Sequence, residues 1–221
     1  MIVLGLTGSI AMGKSTAAAM FRREGVPVYD ADRAVHALFG RGGRAVPLID
    51  SVFPGVVRDG TVDRQALGAR VFDDENALRQ LERIVHPLVQ QERRRFLEAA
   101  ARQRRPLVVL DIPLLFETGG DKVCDAVAVV SAPEAIQHAR LLRRSGVDRA
   151  RIEAIIRRQM PDAEKRCRAD FVIPSGLGRG PTASAIRRII AMLLNGTAIK
   201  RRRGYKLGLL TNKRPRYRNL S

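Results

Sequence analysis

The run Gly8-Ser9-Ile10-Ala11-Met12-Gly13-Lys14-Ser15 satisfies G-x-x-x-x-G-K-[ST] at every fixed position, and Thr16 follows it. Each fixed residue has a physical role. Glycines at both ends let the chain curl until successive N–H groups point into one cavity, which then binds anions. A helix starting near Lys14 would add its positive dipole end. Lys14 supplies a mobile point charge for β- and γ-phosphates, and the Ser15 hydroxyl is a ligand for Mg²⁺. The chemistry implied is binding of a nucleoside triphosphate, a property shared by many unrelated activities.

A second candidate group lies just downstream. Asp30 and Asp32 flank Ala31 at the end of the apolar run Val26-Pro27-Val28-Tyr29. In an open α/β sheet, ligands bind outside the carboxyl ends of strands. A carboxylate there can take a proton from an attacking hydroxyl or help hold a metal. One of the two can equally be a turn residue or the N-cap of the following helix. Asp111 ends another apolar run and is either a Walker-B-type acid or a turn cap. Arg140, Arg143 and Arg144 share one helix face by their spacing. They read as a solvated surface or as cations facing a transferring phosphate.

These residues need a scaffold that brings them together. Short apolar runs at Ile2–Leu6, Val26–Tyr29, Leu107–Leu110, Ala126–Val130 and Phe171–Ile173 read as buried strands. Helical patterns at Thr16–Arg23, Asp32–Phe39, Asp63–Phe72, Glu75–Val85, Pro87–Arg102, Pro133–Arg144, Asp148–Met160 and Thr182–Leu194 separate them. Pro87 and Pro133 suit first-turn positions, where a missing N–H costs nothing. Short buried strands alternating with helices predict a parallel sheet covered on both faces. The stretch from Thr61 to Arg105 is predicted nearly all helical, as an insertion between strands.

Composition bounds the alternatives. The 221 residues are 45% hydrophobic and 28% charged, as in ordinary globular domains. No apolar run reaches the roughly 20 residues that span a bilayer, so no membrane association is expected. The N-terminus has neither a basic leader nor a small-residue cleavage site, so no signal peptide is expected. Cys124 and Cys167 form no metal-ligand spacing and are expected to be buried thiols in a reducing cytoplasm. The net charge is +18, of which nine positive charges, with no acid, lie in residues 197–221. That tail is expected to be flexible and to bind nucleic acid at most non-specifically. Aromatics are only 5% and Trp is absent, so base-stacking platforms are scarce.

The motifs together resemble the dephospho-coenzyme A kinase family. The resemblance is carried by Gly5-Leu6-Thr7-Gly8 leading into the phosphate loop and by Gly25-Val26-Pro27-Val28-Tyr29-Asp30-Ala31-Asp32. It continues in Arg70-Val71-Phe72 with Leu81-Glu82-Arg83-Ile84-Val85-His86-Pro87, in Asp111-Ile112-Pro113-Leu114-Leu115-Phe116-Glu117, and in Ala169-Asp170-Phe171-Val172-Ile173. The chain departs from the family at Ser9 and Ala11, where glycine is usual, and at Met12. It also departs at Pro174-Ser175-Gly176, where an asparagine is usual nearby.

The resemblance implies a three-layer α/β P-loop kinase fold with a parallel sheet of about five strands, a helical substrate-binding domain and a helical lid. The boundaries expected are a kinase domain over 1–196, with its core at about 1–60, 106–139 and 168–196. The helical insertion would cover about 61–105, the lid about 140–167, and the basic tail 197–221. The implied reaction is ATP-dependent phosphorylation of the ribose 3′-hydroxyl of dephospho-coenzyme A, with Mg²⁺ held through Ser15. Asp32 would be the base, with Lys14, Arg140 and Arg144 acting on the transferring group. The nucleotide would be held by Gly8 to Thr16, and the substrate by Asp32, His86, Pro87, Leu114, Leu115 and Glu117.

Overall fold

In a computed structural model, which describes residues 1–72, 74–143 and 159–196, five parallel strands form the central sheet. They are β1 (Ile2–Thr7), β2 (Val28–Asp30), β5 (Leu107–Asp111), β6 (Ala126–Ser131) and β7 (Phe171–Pro174), in the order β2-β5-β1-β6-β7. Alternation along the strands divides the core into two layers. Leu4 and Leu6 of β1, Leu107 and Val109 of β5, and Ala128 and Val130 of β6 face α1 (Lys14–Arg23) and the C-terminal helix Arg179–Leu194. Val3, Val108, Leu110 and Val127 face the opposite way. They meet Phe96, Leu97 and Ala100 of the long helix Glu75–Arg102, together with Leu115 and Phe116.

A third apolar cluster stands apart from the sheet. It joins Leu38 and Phe39 of α2 (Ala31–Phe39), Ile49 of α3 (Val46–Val52) and Leu67 of α4 (Arg64–Val71). Ala77, Leu81, Ile84, Val85, Leu88 and Val89 of α5 (Glu75–Arg102) pack against them. A two-residue-per-strand hairpin, β3 (Val57–Arg58) and β4 (Thr61–Val62), closes this subdomain. The stretch from Thr61 to Arg105 therefore opens on a strand, and the apolar cluster reaches back to Leu38, before the expected boundary at 61.

The two helices expected around Pro87 are one 28-residue helix with Pro87 inside it. Proline there removes one intrahelical hydrogen bond and costs about 3 kcal/mol. Pro87 and the preceding turn at Arg83 are both exposed, so water can serve the orphaned carbonyl. The buried stripe from Ala77 to Val89 holds both halves against α2, α3 and α4. Pro133 is the N-cap of α6 (Glu134–Leu142). A short helix, α7 (Asp162–Arg168), precedes β7, and α8 (Arg179–Leu194) ends the described chain. The expected helix Asp148–Met160 falls mostly in 144–158, and the tail occupies 197–221; both lie outside the described residues. No helix among the described residues is long and apolar enough to cross a membrane. Neither cysteine forms a disulfide among the described residues; Cys124 is buried, but Cys167 is exposed on α7, contrary to expectation.

Candidate active site

The loop between β1 and α1 sits at the C-terminal edge of the sheet. Gly13, at φ 90°, is the N-cap of α1, a left-handed conformation that an L side chain would strain. A Cβ on Gly8 would lie 2.7 Å from the Val130 carbonyl oxygen of β6, so only glycine lets the loop pass this close. Ala11 adopts φ 61° without glycine's freedom. Its carbonyl accepts a hydrogen bond from Arg140 Nη1 at 3.2 Å, which helps hold the turn. Met12 does not present its side chain to a ligand. It is buried, Met12 N–H donates to the Ser9 carbonyl, and its sulfur accepts from Ala132 N–H.

Lys14 Nζ donates to Asp111 Oδ1 at 2.6 Å, with Asp111 only 3% exposed at the end of β5. Burial raises the Asp111 pKa, Lys14 opposes that rise, and the nearby charges of Asp30 and Asp32 add to it. Asp30, in register with Asp111, caps α2 by accepting from Arg33 N–H at 3.0 Å. Asp32 stands exposed in the first turn of α2 with no partner among the described residues. The two aspartates are thus distinguished among the described residues: Asp30 is the cap, and Asp32 has no hydrogen-bond or ion-pair partner there.

Beside the loop is a cavity of about 380 Å³ lined by Gly13, Lys14, Thr16, Arg140, Ser175 and Arg179, among others. The size suits a small-molecule site. Arg140 is not detached from the body. It lies in α6 and bridges the phosphate loop to the β7–α8 loop, donating from Nη1 to Ser175 Oγ at 3.1 Å and from Nη2 to the Ser175 carbonyl at 2.6 Å. Ser175 Oγ in turn donates to the Met12 carbonyl. Arg144 lies outside the described residues.

The substrate-side residues are dispersed. His86 and Pro87 are exposed on the middle of α5, and Leu114 is 41% exposed after β5. Leu115 is fully buried against the sheet, beneath Gly5 and Gly120, so it cannot contact a ligand; its expected substrate role is withdrawn. Glu117 Oε1 accepts from Met160 N–H at 3.0 Å and lies 2.9 Å from Lys165 Nζ, which is fully buried. Burial acts to raise the Glu117 pKa, but the Lys165 ammonium and two backbone N–H groups outweigh it and bring it below the ordinary value.

Sequence reasoning passed over Ser175 as a contact, and also Gln137 and Gln159. Gln137 Nε2 donates to the Ile10 carbonyl at 2.8 Å, and Ile10 N–H donates to Gln159 Oε1 at 3.2 Å. Gln137 had one sequence signal, a polar residue one turn before Leu141 on the buried stripe of α6. Gln159 and Ser175 had none.

A phosphate loop with its lysine on a buried strand-end aspartate, at the edge of a five-stranded parallel sheet between helical layers, defines a P-loop kinase. A family model described as dephospho-CoA kinase matches residues 2–177. A dephospho-CoA kinase of Paramagnetospirillum magneticum is 62% identical, covering 87% of this chain and 91% of the relative. One from Bradyrhizobium diazoefficiens is 53% identical over 86% and 95%. A crystal structure from Thermus thermophilus aligns with a TM-score of 0.74 at 39% identity, covering 87% of this chain and 97% of that one. The chain belongs to the dephospho-CoA kinase family.

Proposed function

We propose that this protein transfers the terminal phosphoryl group of ATP to the ribose 3′-hydroxyl of dephospho-coenzyme A, giving coenzyme A and ADP, the last step of coenzyme A biosynthesis. The observation that carries the reading is the Lys14–Asp111 contact at the sheet edge, within the field of Asp32. Family membership supplies the acceptor.

Phosphoryl transfer needs positioning and charge neutralisation more than covalent chemistry. The amides of the Gly8–Thr16 loop and the N-terminus of α1 cradle the phosphates, and Lys14 bridges the β- and γ-groups. Asp32 orients the 3′-hydroxyl and takes its proton as the oxygen attacks. Arg140 keeps the loop in shape, and Arg144 is the lid cation for the transferring group. His86, Pro87 and Leu114 form the acceptor side.

Mg²⁺ fits the donor chemistry here. Ser15 offers a hydroxyl in the first turn of α1, and Lys14 takes only one oxygen of Asp111. Such a hard cation is usually held by one or two protein oxygens plus substrate phosphates. When bound, it neutralises charge on the β- and γ-oxygens. A cytoplasmic location belongs to the same reading, consistent with two cysteines that form no disulfide among the described residues.

The test is a coupled ADP-release assay with dephospho-coenzyme A, adenosine, AMP and a buffer blank. Dephospho-coenzyme A should be the preferred acceptor. Release no faster with it than with the blank overturns the reading.

A further inference from the structure

Two glutamines hold one residue of the phosphate loop, Ile10, at its N–H and at its carbonyl. Gln137, on α6, donates from Nε2 to the Ile10 carbonyl; Gln159, just before α7, accepts the Ile10 N–H at Oε1. Hydrogen-bond chemistry fixes both amide orientations, because an N–H only donates and a carbonyl only accepts. With Oε1 of Gln159 committed to Ile10, its Nε2 retains two donors. No described residue takes them.

Gln159 is also held firmly for a loop residue. The next residue, Met160, donates its N–H to Glu117 and packs partly buried in the second core layer. Glu117 is in turn fastened to the buried Lys165 of α7. The anchoring runs from the β5–β6 connection through Glu117 to Met160, and it places a neutral two-donor group against the middle of the phosphate loop.

We infer that Gln159 is a catalytic residue whose Nε2 donates to the transferring phosphoryl group while Ile10 N–H aligns it through Oε1. This rests on the kinase reading above. A neutral amide suits this role, because it stabilises charge that grows in the transition state without demanding release of a buried cation. The mirror alternative is that Gln159 serves only as an acceptor that caps Ile10 N–H. The two roles make opposite demands on the side chain.

Gln159→Glu keeps an acceptor for Ile10 and replaces the donors with a negative oxygen. Gln159→Lys keeps donors and loses the acceptor. The expected result is that Gln159→Glu lowers kcat by about 10²-fold or more, with Gln159→Lys retaining clearly more activity. ADP affinity, measured by calorimetry, reports that the loop remains folded and should change little in Gln159→Lys. Retention of wild-type kcat by Gln159→Glu, or a higher kcat for it than for Gln159→Lys, overturns the inference. Wild-type turnover of dephospho-coenzyme A in the same series tests the kinase reading separately. If the wild type is inactive on that acceptor, the kinase reading falls while the ADP measurement still stands.

Discussion

Removing Glu117 should destabilise the protein far more than removing its partner. The asymmetry follows from burial: Lys165 is 0% exposed, whereas the Glu117 side chain keeps 18%. Glu117→Ala strands an ammonium in the interior, for which about 3–5 kcal/mol is the usual cost. At about 2–4 °C per kcal/mol for a chain of this size, Tm should fall by roughly 6–20 °C. Lys165→Met puts a flexible apolar chain of similar length into the same space. It leaves a carboxylate that still reaches water and still accepts from Met160 N–H. Its cost should be smaller, and Glu117→Gln with Lys165→Met together should be less destabilised than Glu117→Ala alone. The pH dependence has a definite sign. Because the folded protein holds the Glu117 pKa low, its stabilisation is present above the unfolded value, near the ordinary glutamate pKa. It is lost as pH falls through the folded value. The Tm gap between wild type and Glu117→Gln should therefore narrow on acidification. Thermal and urea denaturation of the variants, at neutral and acid pH, would measure this. If Lys165→Met is as damaging as Glu117→Ala, or the double variant is additive, the burial argument fails.

Four further outcomes can be checked in parallel. Asp32→Asn should lower kcat by about 10²- to 10⁴-fold with nucleotide affinity retained. Asp30→Ala should instead lower Tm by about 2–4 °C through loss of an N-cap worth about 1 kcal/mol; the reverse ranking of the two in steady-state kinetics would move the base to Asp30. Ala11→Gly removes about 1–2 kcal/mol of left-handed strain and adds about 0.4–1 kcal/mol of unfolded-state entropy, so a small rise in Tm is expected by calorimetry. Deleting residues 197–221, with nine positive charges, should leave turnover intact and flatten the salt dependence of RNA retention in a filter assay.

What was legible in the sequence were the features whose physics is local. Parallel strands buried on both faces appear as unbroken apolar runs, and all five were read within a residue or two. The phosphate loop was legible because its glycines, lysine and serine act through backbone geometry over eight positions. Asp30 and Asp32 were both recognised, yet their division of labour was not, since either position can cap a helix and only the φ and ψ of Asp30 decide it. Pro87 misled for a tertiary reason. A proline rule describes a helix by itself, and here the stripe from Ala77 to Val89 has a subdomain to bury against. The β3–β4 hairpin carries the turn pair Asp59-Gly60, but strands of two residues leave no alternation to read.

The illegible part of the site has one feature in common: it is made of pairs distant in the chain. Glu117 with Lys165, Arg140 with Ser175, and Gln137 and Gln159 with Ile10 have no shared local pattern. They nevertheless bear on how the phosphate loop works. A loop with Ala11 at positive φ is strained, and strain persists only where surroundings over-determine it. Here Arg140 takes the Ala11 carbonyl, Ser175 the Met12 carbonyl, and the two glutamines both ends of Ile10. Three successive residues of the loop are therefore held by side chains from α6, from the segment before α7 and from the β7–α8 loop. The loss of glycine at Ala11 costs the loop intrinsic freedom, and these contacts replace it with imposed shape. A loop pre-shaped by side chains rather than by glycine should lose its geometry when Arg140 is cut, because Arg140 holds both the Ala11 carbonyl and the Ser175 that holds Met12, whereas Ile10 keeps Gln137 when Gln159 alone is changed. Arg140→Ala should then weaken binding of ADP as well as turnover, whereas an arginine acting only on the transferring group would affect kcat and leave ADP untouched.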